Sequence, residues 1–357
     1  MATVAIVGAG LMGTALCYPL ADNGHAVRLV GTHLDDEIIR QCLATRVHPP
    51  LRRALPASVE PFFITQLAQA LDGVDLVISG VSSPGVRWFG RTVGPHLRPG
   101  LPILAVTKGL EATEEGDLRI LPDVLADELP GPIREQVPIA AIGGPCIAGE
   151  LAARRHSAVV FGSRTPSVLP RLAAWLQTSY YHVWQTGDVV SLEVCAAMKN
   201  AYALGVGLVA GLLERAGGPD GDAFMHNLAA ALFAQAATEM VRLVRLLGGS
   251  AEHVASLPGV GDMFVTVQGG RTMRLGRLLG AGLSLEEARR RMAGETLESV
   301  EIIRAAGGAL PRLTARGLVG PDDFPLLRLL YRILWEGAAA AFPWEQFFTE
   351  AGLSREA

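Results

Sequence analysis

The chain has 357 residues, half of them apolar, which is more than one hydrophobic core usually holds and points to two domains. Its 31 basic and 35 acidic residues leave a formal charge of −4, with no basic excess to track a phosphate backbone or an anionic membrane, so no nucleic-acid partner is expected. Four scattered cysteines, Cys17, Cys42, Cys146 and Cys195, form no CxxC pair; they give neither a metal-ligand spacing nor a disulfide framework, and a cytoplasmic location fits them.

From the N-terminus, Thr3 to Val7 is apolar but lacks the basic lead-in of a signal peptide and runs straight into glycines, so it reads as a first strand. Further β-rich runs follow at Ala26 to Val30, Leu76 to Ser79, Ile103 to Val106 and Ile139 to Ile142, alternating with amphipathic stretches, the pattern of parallel βα units in an α/β fold. Runs at Ala158 to Phe161 and Tyr180 to Trp184 complete the sheet. The turn Thr186-Gly187-Asp188 then separates a dinucleotide-binding domain, residues 1–188, from a helical domain, residues 189–357.

From Val190 to Leu213 the chain is apolar almost all round, a helix of about 35 Å buried among others. Its most apolar part, Ala201 to Leu213, is shorter than the roughly 18 to 20 residues that span a bilayer, so no membrane span is expected. Helices follow at Phe224 to Leu247, Leu285 to Met292, Leu297 to Ala306 and Pro325 to Ala340. The tail after Trp344 carries no readable chemistry.

The first strand ends in Gly8-Ala9-Gly10-Leu11-Met12-Gly13 and opens a helical run, the strand–turn–helix setting in which GxGxxG binds a dinucleotide. Gly8 permits the tight turn, Gly10 clears the approach of a pyrophosphate, Gly13 lets helix and strand pack, and the helix N-terminus faces the phosphate charge. The second strand ends in Val30-Gly31-Thr32-His33, with no carboxylate before Asp35 to bind a ribose hydroxyl and no arginine to attract a 2′-phosphate. The cofactor is NAD or NADP, with the preference open.

Of the 31 basic residues only Lys108 and Lys199 are lysines; all others are arginine. An ammonium is a compact charge that gives up its proton when desolvated, which a guanidinium does not. Lys199 interrupts the apolar helix, followed by Asn200, and suits a general acid that protonates a carbonyl oxygen as hydride arrives. Glu193 and Asp262 are the candidate partners that would keep it from being an unpaired buried charge. Lys108 follows the strand Ile103 to Val106 at the carboxyl edge of the sheet, where open α/β folds place ligands, and can face the same cleft. In the second half, Gly261-Asp262, Thr266 and Gly270-Arg271-Thr272 form an unusual polar cluster, with Arg271 a fork for a phosphate oxygen.

Taken in order, the glycine turn, Thr107-Lys108-Gly109, Gly144-Pro145, Met198-Lys199-Asn200, Gly261-Asp262 with Thr266, and Gly270-Arg271 resemble the NAD(P)-dependent glycerol-3-phosphate dehydrogenase family. The resemblance runs from Val4 to about Val300. It implies a Rossmann-like first domain with a mainly parallel sheet, an all-α second domain, and reduction of dihydroxyacetone phosphate or the reverse oxidation. By that resemblance Lys199, Lys108 and Asp262 are catalytic, and Gly8, Gly10, Leu11, Met12 and Gly13 bind the cofactor together with Arg271 and Glu298. Lys108, Asn200, Thr266, Arg271 and Thr272 then line the substrate.

Three positions depart from the family: Thr272 stands where an asparagine is usual, Ala229 where a basic residue is, and Gln235 where an arginine is. The segment Leu310 to Asp323 reads as an insertion. These departures leave open a different phosphorylated polyol or a small hydroxy acid as substrate; a sensor without turnover is the remaining alternative, disfavoured by both lysines. The substrate partner is a small phosphorylated molecule, and the assembly state, a homodimer included, stays open.

Overall fold

A computed structural model of the chain describes residues 1–342 and Phe347. Apart from Phe347, the tail after Trp344 lies outside them. Compactness divides the chain into two units, residues 1–108 with 120–193, and residues 109–119 with 194–357.

The first unit is built on eight strands: β1 (Thr3–Val7), β2 (Ala26–Val30), β3 (Val59–Phe62), β4 (Leu76–Ser79), β5 (Ile103–Ala105), β6 (Ile139–Gly143), β7 (Ser157–Ser163) and β8 (Tyr181–Thr186). Their order across the sheet is β8-β7-β6-β5-β4-β1-β2-β3. All neighbours are parallel except β6 and β7. The first six thus follow the 3-2-1-4-5-6 order of a doubly wound dinucleotide fold, whose switch point lies between β1 and β4.

Both faces of the sheet are covered. Along β1, Val4 and Ile6 enter one core and Ala5 and Val7 the other, which is why the strand is a continuous apolar run instead of an alternation. The strand β3 has no such run: Glu60 is exposed and Pro61 interrupts it, as an edge position tolerates.

The second unit is helical, as its composition predicts. Its spine is the helix Val189–Arg215, which begins five residues before the division between the units. The expected boundary at Asp188 therefore falls ahead of the helix, whereas the compact units part within it. Residues 109–119, which no composition shift marks, also group with this unit, where Arg316 pairs with Asp117 at 2.6 Å. The spine is long and apolar enough to cross a membrane by length and composition; 83% of its apolar window is buried inside the protein, as in a core helix.

Close helix contact orders this unit. A Cβ at Gly211 would lie 2.0 Å from the Arg277 carbonyl oxygen, and one at Gly280 2.1 Å from that of Leu208, so the spine and the helix Arg271–Gly280 touch backbone to backbone. They run in the same direction. Asn200, two turns before Gly207 on the same face, is thereby carried beside the start of the second helix, where Arg271 stands.

The segment Leu310 to Asp323, read as an insertion, is folded and held in place. Its first part lies in the helix Gly308–Ala315 with Leu310 and Leu313 buried. The rest folds back onto Arg328, whose guanidinium donates to Asp323 O at 2.9 Å and to Thr314 Oγ1 at 2.9 Å.

Candidate active site

In the first unit the glycine turn connects β1 to the short helix Leu11–Ala15. Gly8 has φ +111°, and a Cβ on it would lie 2.7 Å from the Gly80 carbonyl carbon. One on Gly13 would lie 2.6 Å from the Gly8 oxygen. Packing therefore requires glycine at both positions. Gly10 differs, because a Cβ there meets nothing closer than Gly80 O at 3.8 Å. Nothing in the protein itself excludes a side chain at Gly10, so the opening beside it fits an incoming pyrophosphate, with the unpaired N–H groups of the first helical turn behind it.

Gly80 packs on this turn from the end of β4, and Val81 O accepts the Thr107 hydroxyl at 2.6 Å. That bond fixes the loop carrying Lys108 to the carboxyl edge of the same sheet. Gly80 escaped the sequence reading, although a glycine directly behind the strand Leu76–Ser79 was its signal.

Glu193 belongs to this unit and is fully buried, with neither carboxyl oxygen hydrogen-bonded. Burial pushes its pKa up to about 8, against a smaller downward pull from the Lys108 charge. Of the two candidate partners for Lys199, then, Glu193 is coupled to the other lysine.

In the second unit, the Lys199 ammonium donates to Asp262 Oδ1, the two side chains being 9% and 1% exposed. A buried ammonium needs such a counter-charge to survive desolvation. Asp262 opens the helix Asp262–Val267, and its backbone carbonyl accepts the Thr266 hydroxyl at 2.7 Å.

The neighbouring residue begins a second chain of contacts. Asn200 Nδ2 donates to Glu298 Oε2 at 3.2 Å, and Arg271 Nη2 donates to Glu298 Oε1 at 2.7 Å. The fold thus gathers Lys199, Asn200, Asp262, Thr266, Arg271 and Glu298 within one unit, with Glu298 holding the guanidinium that is the candidate anion anchor.

The three departures sort by environment. Thr272 is buried beside Arg271, and Ala229 is half-buried. Gln235 is spent elsewhere: it donates to Glu239 Oε1 at 2.9 Å. That fully buried carboxylate also accepts from Tyr202 Oη at 3.1 Å and from the N–H groups of Leu326 and Leu327 at 2.6 and 3.0 Å. Gln235 is therefore bound into a core network that caps the helix Pro325–Trp335.

Known proteins bear on these arrangements. Residues 3–169 match the family model described as the NAD-dependent glycerol-3-phosphate dehydrogenase N-terminus, and residues 188–342 the corresponding C-terminus. The chain is 35% identical over 334 residues to the NADP(+)-dependent glycerol-3-phosphate dehydrogenase of Archaeoglobus fulgidus, covering 94% of this chain and 95% of the relative. Among solved structures it resembles glycerol-3-phosphate dehydrogenase from Coxiella burnetii, with TM-score 0.79, 28% identity and 97% of each chain covered. It shares its fold with the Saccharomyces cerevisiae glycerol-3-phosphate dehydrogenase, with TM-score 0.80 and 20% identity over 97% of this chain and 99% of that one. With both halves matched and a relative aligned nearly end to end, the chain belongs to the NAD(P)-dependent glycerol-3-phosphate dehydrogenase family of oxidoreductases.

Proposed function

We propose that this protein interconverts glycerol 3-phosphate and dihydroxyacetone phosphate, with NAD or NADP held at the turn Gly8 to Gly13. The observation that carries the reading is the buried Lys199–Asp262 pair with Asn200, Glu298 and Arg271 alongside, an ammonium and a guanidinium in one unit.

The nicotinamide of the bound cofactor supplies or accepts the hydride. In the reducing direction the carbonyl oxygen of the substrate takes a proton from Lys199 Nζ, and in the oxidising direction the amine takes it back. Asp262 keeps the side chain aimed and offsets the burial of its charge. Thr266 fixes the backbone of the helix that carries Asp262, and Asn200 orients the substrate hydroxyls. Arg271 supplies the fork for the phosphate, so Glu298 must share or yield that guanidinium when the anion binds. Thr272 offers a shorter reach than an asparagine, which loosens phosphate recognition. Lys108 serves mainly to place the substrate. Three of the four cysteines, Cys17, Cys42 and Cys195, are buried, which fits the cytoplasm.

The test is a substrate panel followed by cofactor absorbance with NAD and NADP. Glycerol 3-phosphate is expected to be the best substrate, and Arg271→Ala to raise its KM far more than that of an unphosphorylated analogue. A hydroxy acid turned over best, with Arg271→Ala acting alike on phosphorylated and plain substrates, would remove the phosphate reading.

A further inference from the structure

We propose that Asp35 and His48 are positioning residues for the cofactor turn, gripping the N–H and the carbonyl of Ala9 so that the amides behind it are held ready for the pyrophosphate. This rests on the reading above that the turn Gly8 to Gly13 binds the cofactor.

The Ala9 N–H donates to Asp35 Oδ2 at 3.2 Å, and the Ala9 carbonyl meets His48 Nε2 at 2.8 Å. Two side chains distant in sequence therefore converge on one residue of the turn. Its flanking neighbours are both glycines, the residues that lose most freedom on ordering, so an unbraced turn would sample many conformations. A site that binds through backbone amides gains affinity when those amides are fixed beforehand.

Each partner is specialised for this contact. His48 is fully buried, and its Nδ1 accepts the Leu51 N–H at 3.2 Å, which leaves Nε2 as the protonated nitrogen that donates to Ala9. Burial holds the ring pKa below the usual histidine value, in keeping with a neutral ring that uses both nitrogens.

Asp35 stands at the N-cap of the helix Asp36–Thr45, where an aspartate ordinarily accepts an N–H of the first turn, yet it makes no such bond. Its Oδ2 accepts instead the Thr32 N–H and the Thr32 hydroxyl, both at 2.8 Å, in addition to the Ala9 N–H. The carboxylate thus ties the loop after β2 to the glycine turn. Asp35 is the first acid after that strand, and the geometry gives it this bracing task in place of ribose recognition. Because the brace occupies the Ala9 N–H, the cofactor phosphates are directed to the amides of the helix's first turn.

The test measures NADH and NADPH affinity by fluorescence titration, with steady-state kinetics on glycerol 3-phosphate, in the full-length protein. His48→Ala and Asp35→Ala are each expected to raise cofactor Kd and KM about tenfold, while kcat at saturating cofactor stays within about twofold. His48→Gln can still donate to Ala9 and accept from Leu51, and Asp35→Asn can still accept from Ala9 and Thr32, so both should recover most of the affinity. Asp35→Asn should also leave the NAD-to-NADP ratio of kcat/KM unchanged, whereas a ribose ligand would shift it. Asp35 is partly exposed, so its variants keep the test alive even if His48→Ala fails to fold.

Wild-type affinity in both alanine variants, a loss confined to kcat, or no rescue by the conservative variants would each overturn the brace. Gly10→Val separates this from the underlying reading. If it abolishes binding while the Asp35 and His48 alanine variants keep wild-type affinity, the brace alone fails; if it binds normally, the turn is not the cofactor site and both readings fall.

Discussion

The first unit presents its candidate site as main-chain amides around Gly10, held by packing at Gly8, Gly13 and Gly80, whereas the second presents charged side chains, Lys199 with Asp262 and Arg271 with Glu298. A backbone site depends on the absence of side chains at fixed spacings, so it tolerates little addition. A side-chain site depends on pairs of residues far apart in sequence, so it tolerates little removal. The two therefore break in different ways.

The largest effect belongs to the side-chain site. Lys199→Arg keeps a charge but neither the size nor the readiness to release a proton, and kcat should fall by about 10² to 10⁴. Single-turnover kinetics with saturating cofactor would check this, and near-normal turnover would place the proton donor elsewhere. Asp262→Asn comes next, because it leaves a buried ammonium without its counter-charge. Losing one partner of such a pair costs about 3 to 5 kcal/mol, read as a drop in denaturant midpoint together with loss of activity. If Asp262→Asn kept wild-type stability, Lys199 would be uncharged in the folded protein.

The backbone site should separate folding from binding. At Gly13 an added methyl meets the Gly8 oxygen at 2.6 Å, so Gly13→Ala is expected to destabilise the protein by about 1 to 3 kcal/mol. At Gly10 the nearest atom is 3.8 Å away, so Gly10→Ala should melt like the wild type and yet bind NADH and NADPH more weakly. Equal melting temperatures for the two variants would mean that the turn relaxes more readily than its geometry implies.

The same contrast governs what could be read from sequence. Glycine spacing behind an apolar strand is local, and so are seven of the eight strands of the main sheet; β3 was missed because Glu60 and Pro61 break its apolar run. The rarity of lysine singled out Lys108 and Lys199 among the basic residues. Their partners were less accessible, since both Asp262 and Glu193 stood open as partners of Lys199 until the chain was folded. His48 carried no signal, because a histidine before two prolines looks like an ordinary loop residue, and Asp35 stood out only as the first carboxylate after β2, with nothing to tie it to Ala9. Gln235 stands out in the sequence only as the place of a missing arginine; its bond to the buried Glu239 was not legible, because that partner is apparent only in the folded chain.

The prediction that bears on the coupling of Lys108 concerns Glu193. Its carboxyl is fully buried without a hydrogen bond, and burial, opposed by the Lys108 charge, raises its pKa from 4.5 to about 8. A raised folded-state pKa means that the native protein holds this proton more tightly than the unfolded chain does. The resulting stability is fully present below about pH 4.5, declines as pH rises, and is gone above about pH 8. Glu193→Gln keeps the shape of the protonated carboxyl and cannot ionise, so relative to wild type it should gain melting temperature on going from pH 5 to pH 8.5. Thermal melts of both proteins across that range would show it as a difference that widens with pH. A difference that stays flat would mean that Glu193 is ionised throughout, with Lys108 providing enough compensation to outweigh the cost of burial.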